Sequence, residues 1–288
     1  MRLSLGTAQI GMNYGIASSH AGFTQNEVNL LIKFCRSHDI TTVDTAVNYG
    51  DSEEKLGKAK ISDFEIITKL PSVPDNISNV EIWARDQVLN SLERLKVSRL
   101  HGLLLHDPSQ LLANIGKAIL NALKKLKQEG LVKKIGISIY SPEDIDSLFN
   151  FESFDIIQAP FNIVDRRLHT SGALAKLNNH GVEVHVRSIF LQGLLIMDSQ
   201  RRPDYFFKWC HLFSKWDNWI KIRQHNPLEV CIAFIKEFPE IHRCIVGVDD
   251  LKQLTVLNQI FSHSQSFIYP DISSVDTGLV NPGSWDVK

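Results

Sequence analysis

The sequence has 288 residues, 43% of them hydrophobic and 22% charged, with 31 Lys and Arg against 32 Asp and Glu for a formal net charge of −1. That balance excludes the broad basic field of a general nucleic-acid binder or a polybasic membrane binder. The length suits either two average domains or one α/β barrel, and the composition is that of a chain able to bury a large core.

Short apolar runs rich in β-branched residues alternate with amphipathic segments along nearly the whole chain. Strands are expected at Leu3–Thr7, Thr41–Thr45, Phe64–Lys69, Gly102–His106, Lys134–Ile139, Phe154–Ala159, Val182–Arg187 and Arg243–Val248. Most are near-continuous apolar runs, the pattern of parallel strands covered on both faces. Between them, Thr24-Gln-Asn-Glu27 has the form of a capping box. Ser141-Pro142 places a capping residue before a first-turn proline. Apolar residues at 115, 118, 119, 122, 123 and 126 form a helical stripe that stops before Gly130.

Eight strand–helix alternations predict a closed (β/α)8 barrel, a TIM barrel, over residues 1–288 as a single domain. An open doubly wound sheet is disfavoured because no GxGxxG follows an early strand. Two stretches break the rhythm. Met197 to Pro227 is polar and holds Arg201-Arg202-Pro203 with Trp209, Trp216 and Trp219; it predicts a long, partly helical loop after strand seven, its tryptophans serving as packing. The tail from Ser262 is rich in Ser, Asp, Pro and Gly and predicts an irregular closing segment.

The longest apolar stretch, Ile189 to Met197, is interrupted by Gln192 and reaches about half the length of a membrane span. The opening MRLSLGTAQIG lacks a charged leader before an apolar run, so no secretory signal is expected. Cys35, Cys210, Cys231 and Cys244 form no CxxC pair and are expected as reduced thiols in a cytoplasmic protein. No HExxH or similar ligand spacing points to a metal.

In a barrel of this kind the chemistry lies at the carboxyl ends of the strands. Strand two ends in Asp44, with Tyr49 shortly after; strand three ends in Lys69; strand four ends in His106. These types suit delivery of a proton to a carbonyl oxygen. A phenol of pKa about 10 holds its proton too firmly near neutrality, a lysine ammonium beside it favours release, and an aspartate keeps that lysine charged. A histidine can orient the carbonyl oxygen. No side chain donates hydride, so a nicotinamide cofactor is implied.

The segment Asp44-Thr-Ala-Val-Asn-Tyr-Gly-Asp-Ser-Glu53, with Leu56-Gly57, closely resembles the aldo-keto reductase signature. The resemblance continues through Ile67-Thr-Lys69, Leu104-Leu-His-Asp-Pro108, Lys134-Ile-Gly-Ile-Ser138, Gln158-Ala-Pro-Phe-Asn162, Ser188 with Gly193-Leu-Leu195, and Val246-Gly247. It implies a catalytic set of Asp44, Tyr49, Lys69 and His106, with Tyr49 as proton donor. It further implies cofactor contacts from Thr7, Ser138, Gln158, Ser188, Gly193, Gly247 and Gln253, with Ser138 and Gln158 on the nicotinamide carboxamide. The implied cofactor is NADPH, and the partner is a small-molecule carbonyl substrate. Gly-Thr-Ala-Gln-Ile-Gly near the start and Arg-Ser-Ile-Phe-Leu-Gln-Gly after strand seven resemble a branch met among bacterial surface-carbohydrate enzymes, which implies a sugar or nucleotide-sugar carbonyl.

The chain departs from the family pattern in three places. Arg187 stands where many members carry an aromatic residue against the nicotinamide. It either serves the cofactor, reaches an anionic substrate group, or forms a structural ion pair. Gly247-Val-Asp-Asp250 puts carboxylates where NADP-preferring relatives carry cations, which keeps NADH open; Lys252 or the Arg201-Arg202 pair could compensate, and one Asp could simply cap the last helix. Strand one begins at the third residue, so the hairpin that plugs the barrel bottom in many relatives is not expected. Two readings compete with reduction: a cofactor-binding sensor or scaffold without turnover, and lyase or isomerase chemistry on the same four residues.

Overall fold

The computed structural model describes residues 1–16, 22–149, 154–263 and 265–287. The eight strands are β1 (Arg2–Gly6), β2 (Thr42–Asp44), β3 (Glu65–Leu70), β4 (Leu100–Leu105), β5 (Val132–Ser138), β6 (Ile156–Pro160), β7 (Glu183–Arg187) and β8 (Ile241–Gly247). All pair in parallel and in chain order, and β8 pairs back on β1 to close the barrel. Every expected strand is present, its ends displaced by no more than two residues.

The helices arise where the local signals placed them. Thr24 and Glu27 form the reciprocal capping box that opens the helix Gln25–Ser37, Glu27 Oε2 accepting the Thr24 amide at 2.7 Å. The stripe beginning at Ile115 becomes the helix Gly116–Gln128, which buries Ile119, Leu120, Leu123 and Leu126. Gly130 follows it at φ +77°, the left-handed conformation that ends helices and that glycine adopts without steric cost. The outer strand faces and these helices share the main apolar core.

Successive strand residues alternate between faces, so the inward side chains fall into layers. The middle layer is apolar and small: Ile67, Leu104 and Ile156 form a cluster of their own, and Gly102 makes room for Ile67 and Ile156. The lower layer, at the amino ends of the strands, is ionic. Glu183 accepts from His185 Nε2 at 2.9 Å and from Lys134, while Arg243 pairs with Glu65. The upper layer, at the carboxyl ends, holds Asp44, Lys69, His106, Gln158 and Arg187.

After β7 the chain makes two 3-10 turns, Ser199–Arg201 and Asp204–Trp209, and then the helix Cys210–Arg223. Trp216 is buried and donates to Leu195 O at 3.0 Å, so it packs the connection down rather than facing a ligand. The tail is less irregular than its composition suggests. Leaving aside Ser264 and Lys288, which lie outside the described residues, it forms the short helix Thr277–Val280 and docks on this connection. Tyr205 donates to Gly278 O at 2.9 Å, Trp209 to Asp276 Oδ2 at 3.0 Å, and the Trp285 ring meets Phe206 edge-on. Among the described residues, no helix is long and apolar enough to cross a membrane.

The lower ionic layer makes the barrel acid-sensitive. Burial pushes Glu183 up, but the bonds from His185 and Lys134 outweigh it and hold the carboxyl well below its ordinary range. A carboxylate depressed on folding contributes stability above its unfolded pKa of about 4.3 and loses it as pH falls below that value. Urea unfolding should show the wild type losing about 1 kcal/mol more than Glu183→Gln between about pH 6 and pH 3.5. Parallel losses in the two proteins would remove Glu183 as the source.

Candidate active site

The upper layer is built around a buried ion pair. β2 lies beside β3, and Lys69 Nζ reaches Asp44 Oδ1 at 2.5 Å with side-chain exposures of only 1% and 4%. Lys69 also donates to Thr45 O at 3.0 Å. The second carboxylate oxygen of Asp44 accepts Gln158 Nε2 at 2.7 Å from the opposite side of the barrel mouth. At the end of β1, both the Thr7 amide and its hydroxyl donate to Asp44 O, at 3.0 and 2.9 Å. Both carboxylate oxygens of Asp44 and its backbone carbonyl are therefore engaged from within the fold.

Tyr49 is placed by a close backbone approach. Its turn runs against the short helix Ala8–Gly11 so tightly that a Cβ at Gly11 would lie 1.8 Å from Tyr49 O, and one at Gly50 would lie 2.2 Å from Gly11 O. Gly50 also has φ +54°. The seating brings the Tyr49 ring to 5.2 Å from Lys69 Nζ and sets it edge-on to His106, ring centroids 5.9 Å apart at 81°. The four residues expected to act together are thus brought together.

Burial pushes the Tyr49 phenol up, and although Lys69 pulls the other way the net direction is upward. The expected lysine effect is present, but desolvation exceeds it. Burial opposes the charge on Lys69 as well, and there the Asp44 carboxylate outweighs it, so its ammonium is raised and stays charged. Burial, reinforced by Lys69 and Arg187, pushes His106 down to about 4, which leaves the imidazole neutral near neutrality.

Arg187 ends β7 with its guanidinium over the Tyr140 ring, 4.5 Å from the centroid. Nη2 donates to Ile139 O at 3.0 Å and Nη1 to Ser188 Oγ at 3.4 Å. Among the described residues no carboxylate pairs with it, so the structural ion pair is not what the geometry shows.

A cleft of about 500 Å³ opens over this layer, within the usual range for small-molecule sites. Thr7, Asp44, Tyr49, Gln158, Arg187 and Ser188 border it at one end, and Gly193 borders it along the loop after β7. Gly247, at the end of β8, and Gln253, in the first turn of the helix Leu251–Ser262, also border it; the partial positive charge of that helix start favours phosphate. Apolar walls from Ile189, Phe190 and Leu257 complete a cradle that fits a nicotinamide dinucleotide. Ser138 does not border the cleft; it is buried beside its register partner Gln158. Lys69 and His106 lie outside the lining too and meet the site at the Tyr49 ring.

At the helix end, Asp250 Oδ1 accepts the Gln253 amide at 2.7 Å, the capping role, and Gln253 Oε1 accepts the Asp249 amide at 2.9 Å. Lys252 borders the cleft there. Arg202 cannot assist, because it grips Asp217 through two 2.6 Å bonds and covers the Phe213 ring. Sequence reasoning missed Tyr14, Phe190 and Gln192 in the lining. They sit on loops outside the strand ends, where no periodicity marks them. The motif residue Asn162, by contrast, donates to Ser188 O at 3.0 Å and so fixes the start of the β7 loop.

A family model described as "Aldo/keto reductase family" matches residues 2–268. The chain is 28% identical over 279 residues to the "Uncharacterized oxidoreductase YqkF" of Bacillus subtilis, covering 87% of each sequence. Its fold superposes on the holo form of the aldo-keto reductase AKR11C1 from Bacillus halodurans with a TM-score of 0.74 at 18% identity, over 92% of this chain and 88% of that one. An aldo-keto reductase from Klebsiella pneumoniae in complex with NADPH gives a TM-score of 0.67 at 18% identity, over 92% and 86%.

The His106 environment has a direct readout. In an NMR titration its imidazole should stay neutral until about pH 4. Removing one cationic neighbour, as in Arg187→Met, should move the midpoint upward. A wild-type midpoint near the ordinary value of about 6.5 would show that solvent reaches the ring.

Proposed function

The chain belongs to the aldo/keto reductase family and is an NAD(P)H-dependent oxidoreductase; from that premise we propose that it reduces the carbonyl group of an aldehyde or ketone with Tyr49 as proton donor. The observation that carries the reading is the Lys69–Asp44 pair, buried at 2.5 Å, with Lys69 Nζ 5.2 Å from the centre of the Tyr49 ring. When bound, NAD(P)H supplies the hydride for the carbonyl carbon.

The side chains divide the rest of the work. Burial keeps the Tyr49 phenol protonated until it is needed, and the charged Lys69 stabilises the phenolate left once the proton has moved to the carbonyl oxygen. Asp44 holds that charge in place. Neutral His106, edge-on to Tyr49, carries one N–H donor with which to orient the carbonyl oxygen.

For the cofactor, Gln158 has its Nε2 engaged by Asp44 and keeps Oε1 to accept from the nicotinamide carboxamide. The Ser188 and Gly193 loop and the Gly247–Gln253 turn take the phosphates and the adenosine end. Thr7 contributes as a support for Asp44, and Ser138 as a support for Gln158. NADPH is the proposed form, with Lys252 as the cation beside the capped Asp250. The substrate proposed is a sugar or nucleotide-sugar carbonyl, supported by the sequence resemblance to the surface-carbohydrate branch. A cytoplasmic setting is proposed on the unbridged Cys35, Cys210, Cys231 and Cys244.

Tyr49→Phe should lower NADPH-dependent aldehyde reduction by about 10²- to 10⁴-fold while cofactor binding, followed by fluorescence, stays within a few-fold. Unchanged turnover would end the proton-donor assignment. Saturable cofactor binding without turnover of any carbonyl in the wild type would favour the sensor reading. In side-by-side titrations NADPH should bind more tightly than NADH, and Lys252→Ala should close the gap. Tighter NADH binding would reverse the cofactor assignment.

A further inference from the structure

Resting on the reductase reading, we propose that Arg187 is the receptor for an anionic group on the carbonyl substrate, a carboxylate or a phosphate carried near the reacting carbon. Three observations place it there. The guanidinium borders the cleft at the Tyr49 end, and its charge acts on both Tyr49 and His106. Its orientation is set within the fold, by the Tyr140 ring on one face, by Ile139 O and by Ser188 Oγ. Its Nε–H and the remaining Nη donors have no partner among the described residues, so a guanidinium that borders the cleft keeps donors to spare.

The charge balance around it gives the sign of the ligand. The carboxylates around it are already engaged: Asp44 by Lys69 and Gln158, Asp107 by Ser72 at 3.1 Å and by the Ser109 hydroxyl and amide, and Asp250 and Asp249, which also line the cleft, by the Gln253 amide and side chain. Lys69 is compensated by Asp44, whereas Arg187 is compensated by no described side chain. A half-buried guanidinium without a counter-ion favours an anion over a neutral group of the same size, and its forked geometry suits two oxygens of one carboxylate or phosphate. A simple aldehyde would leave that fork unused. A sugar acid, a sugar phosphate or a nucleotide sugar would fill it, which narrows the carbohydrate class proposed above to its charged members.

A second source of negative charge is the cofactor itself, and the experiment separates the two. Succinic semialdehyde and butanal share a chain length and differ by a carboxylate; glyceraldehyde 3-phosphate and glyceraldehyde differ by a phosphate. Steady-state reduction of each pair by the wild type, Arg187→Met and Arg187→Lys is measured beside the Kd of NADPH for all three proteins. The expected result is a KM for at least one anionic member about 10- to 100-fold below that of its neutral partner. That advantage should vanish in Arg187→Met and return in part in Arg187→Lys, with the NADPH Kd little changed; the lost charge beside Tyr49 and His106 acts on kcat for both members of a pair alike, so the ratio of their KM values is the readout.

Equal KM values within both pairs, or an anion advantage that survives Arg187→Met, would overturn the proposal. So would a weakened NADPH Kd with parallel losses on charged and neutral aldehydes, because Arg187 would then serve the cofactor. Calorimetric titration of the NADP⁺ complex with 4-hydroxybutanoate and with inorganic phosphate reads the site without turnover. Binding of either that Arg187→Met abolishes supports the anion site even if no aldehyde is reduced, in which case it is the reductase reading that falls; binding of neither overturns the anion site.

Discussion

Asp44 carries its carboxylate at a point where only 3% of the residue meets solvent, and the strands around the barrel mouth are arranged to answer it. Lys69 comes from the adjacent strand, Thr7 from the end of the strand on the other side, and Gln158 from β6, which stands opposite β2 in a ring of eight. The Gln158 bond therefore crosses the barrel axis. Leaving a buried charge without its partner costs on the order of 3–5 kcal/mol, more than most single contacts contribute. The interaction that charges Lys69 for chemistry is the same one that ties opposite walls of the barrel together.

The two polar layers of the interior differ in what they face. Below the apolar waist of Ile67, Leu104 and Ile156, the lower groups answer one another: Glu183 meets His185 and Lys134, and Arg243 meets Glu65. Above it, Asp44 and Lys69 are likewise closed, but Tyr49 and Arg187 face a cleft. Buried charge is found at both ends of the barrel, and so are unpartnered donors and acceptors, His185 Nδ1 and Arg243 Nε among them below; the open cleft is what marks the upper end for ligands.

Much of this arrangement is legible in the sequence because parallel strands covered on both faces leave long apolar runs, and a polar residue at the end of such a run stands out. Asp44, Lys69 and His106 are visible for that reason, and Tyr49 through its motif. The capping box at Thr24 and the stripe beginning at Ile115 are legible because helix signals are local. The Gln158–Asp44 bond joins residues 114 positions apart, and nothing in either neighbourhood announces it. Ser138 is expected on the nicotinamide through the family resemblance alone, and the fold buries it beside Gln158. The polar stretch after β7 reads as a partly helical loop; the extent of its helix Cys210–Arg223 depends on tertiary contacts such as that of Trp216 with Leu195. The direction of the Tyr49 shift depends on burial weighed against two cations, Lys69 and Arg187, a balance that only coordinates provide.

The segment following β7 holds Ser188 at φ +61°, Leu191 at +49°, Gln192 at +52° and Gly193 at +91°. Left-handed backbone at a non-glycine residue costs of order 1–3 kcal/mol and persists where its surroundings over-determine it. Here those surroundings include Asn162 on Ser188 O and the turn bonds Leu191 N to Ser188 O and Gly193 N to Phe190 O, both 2.9 Å. A segment already committed to one shape has little disorder left to surrender when a ligand arrives. The entropy of organising this wall of the cleft is lost once, during folding, and association is spared it at every encounter.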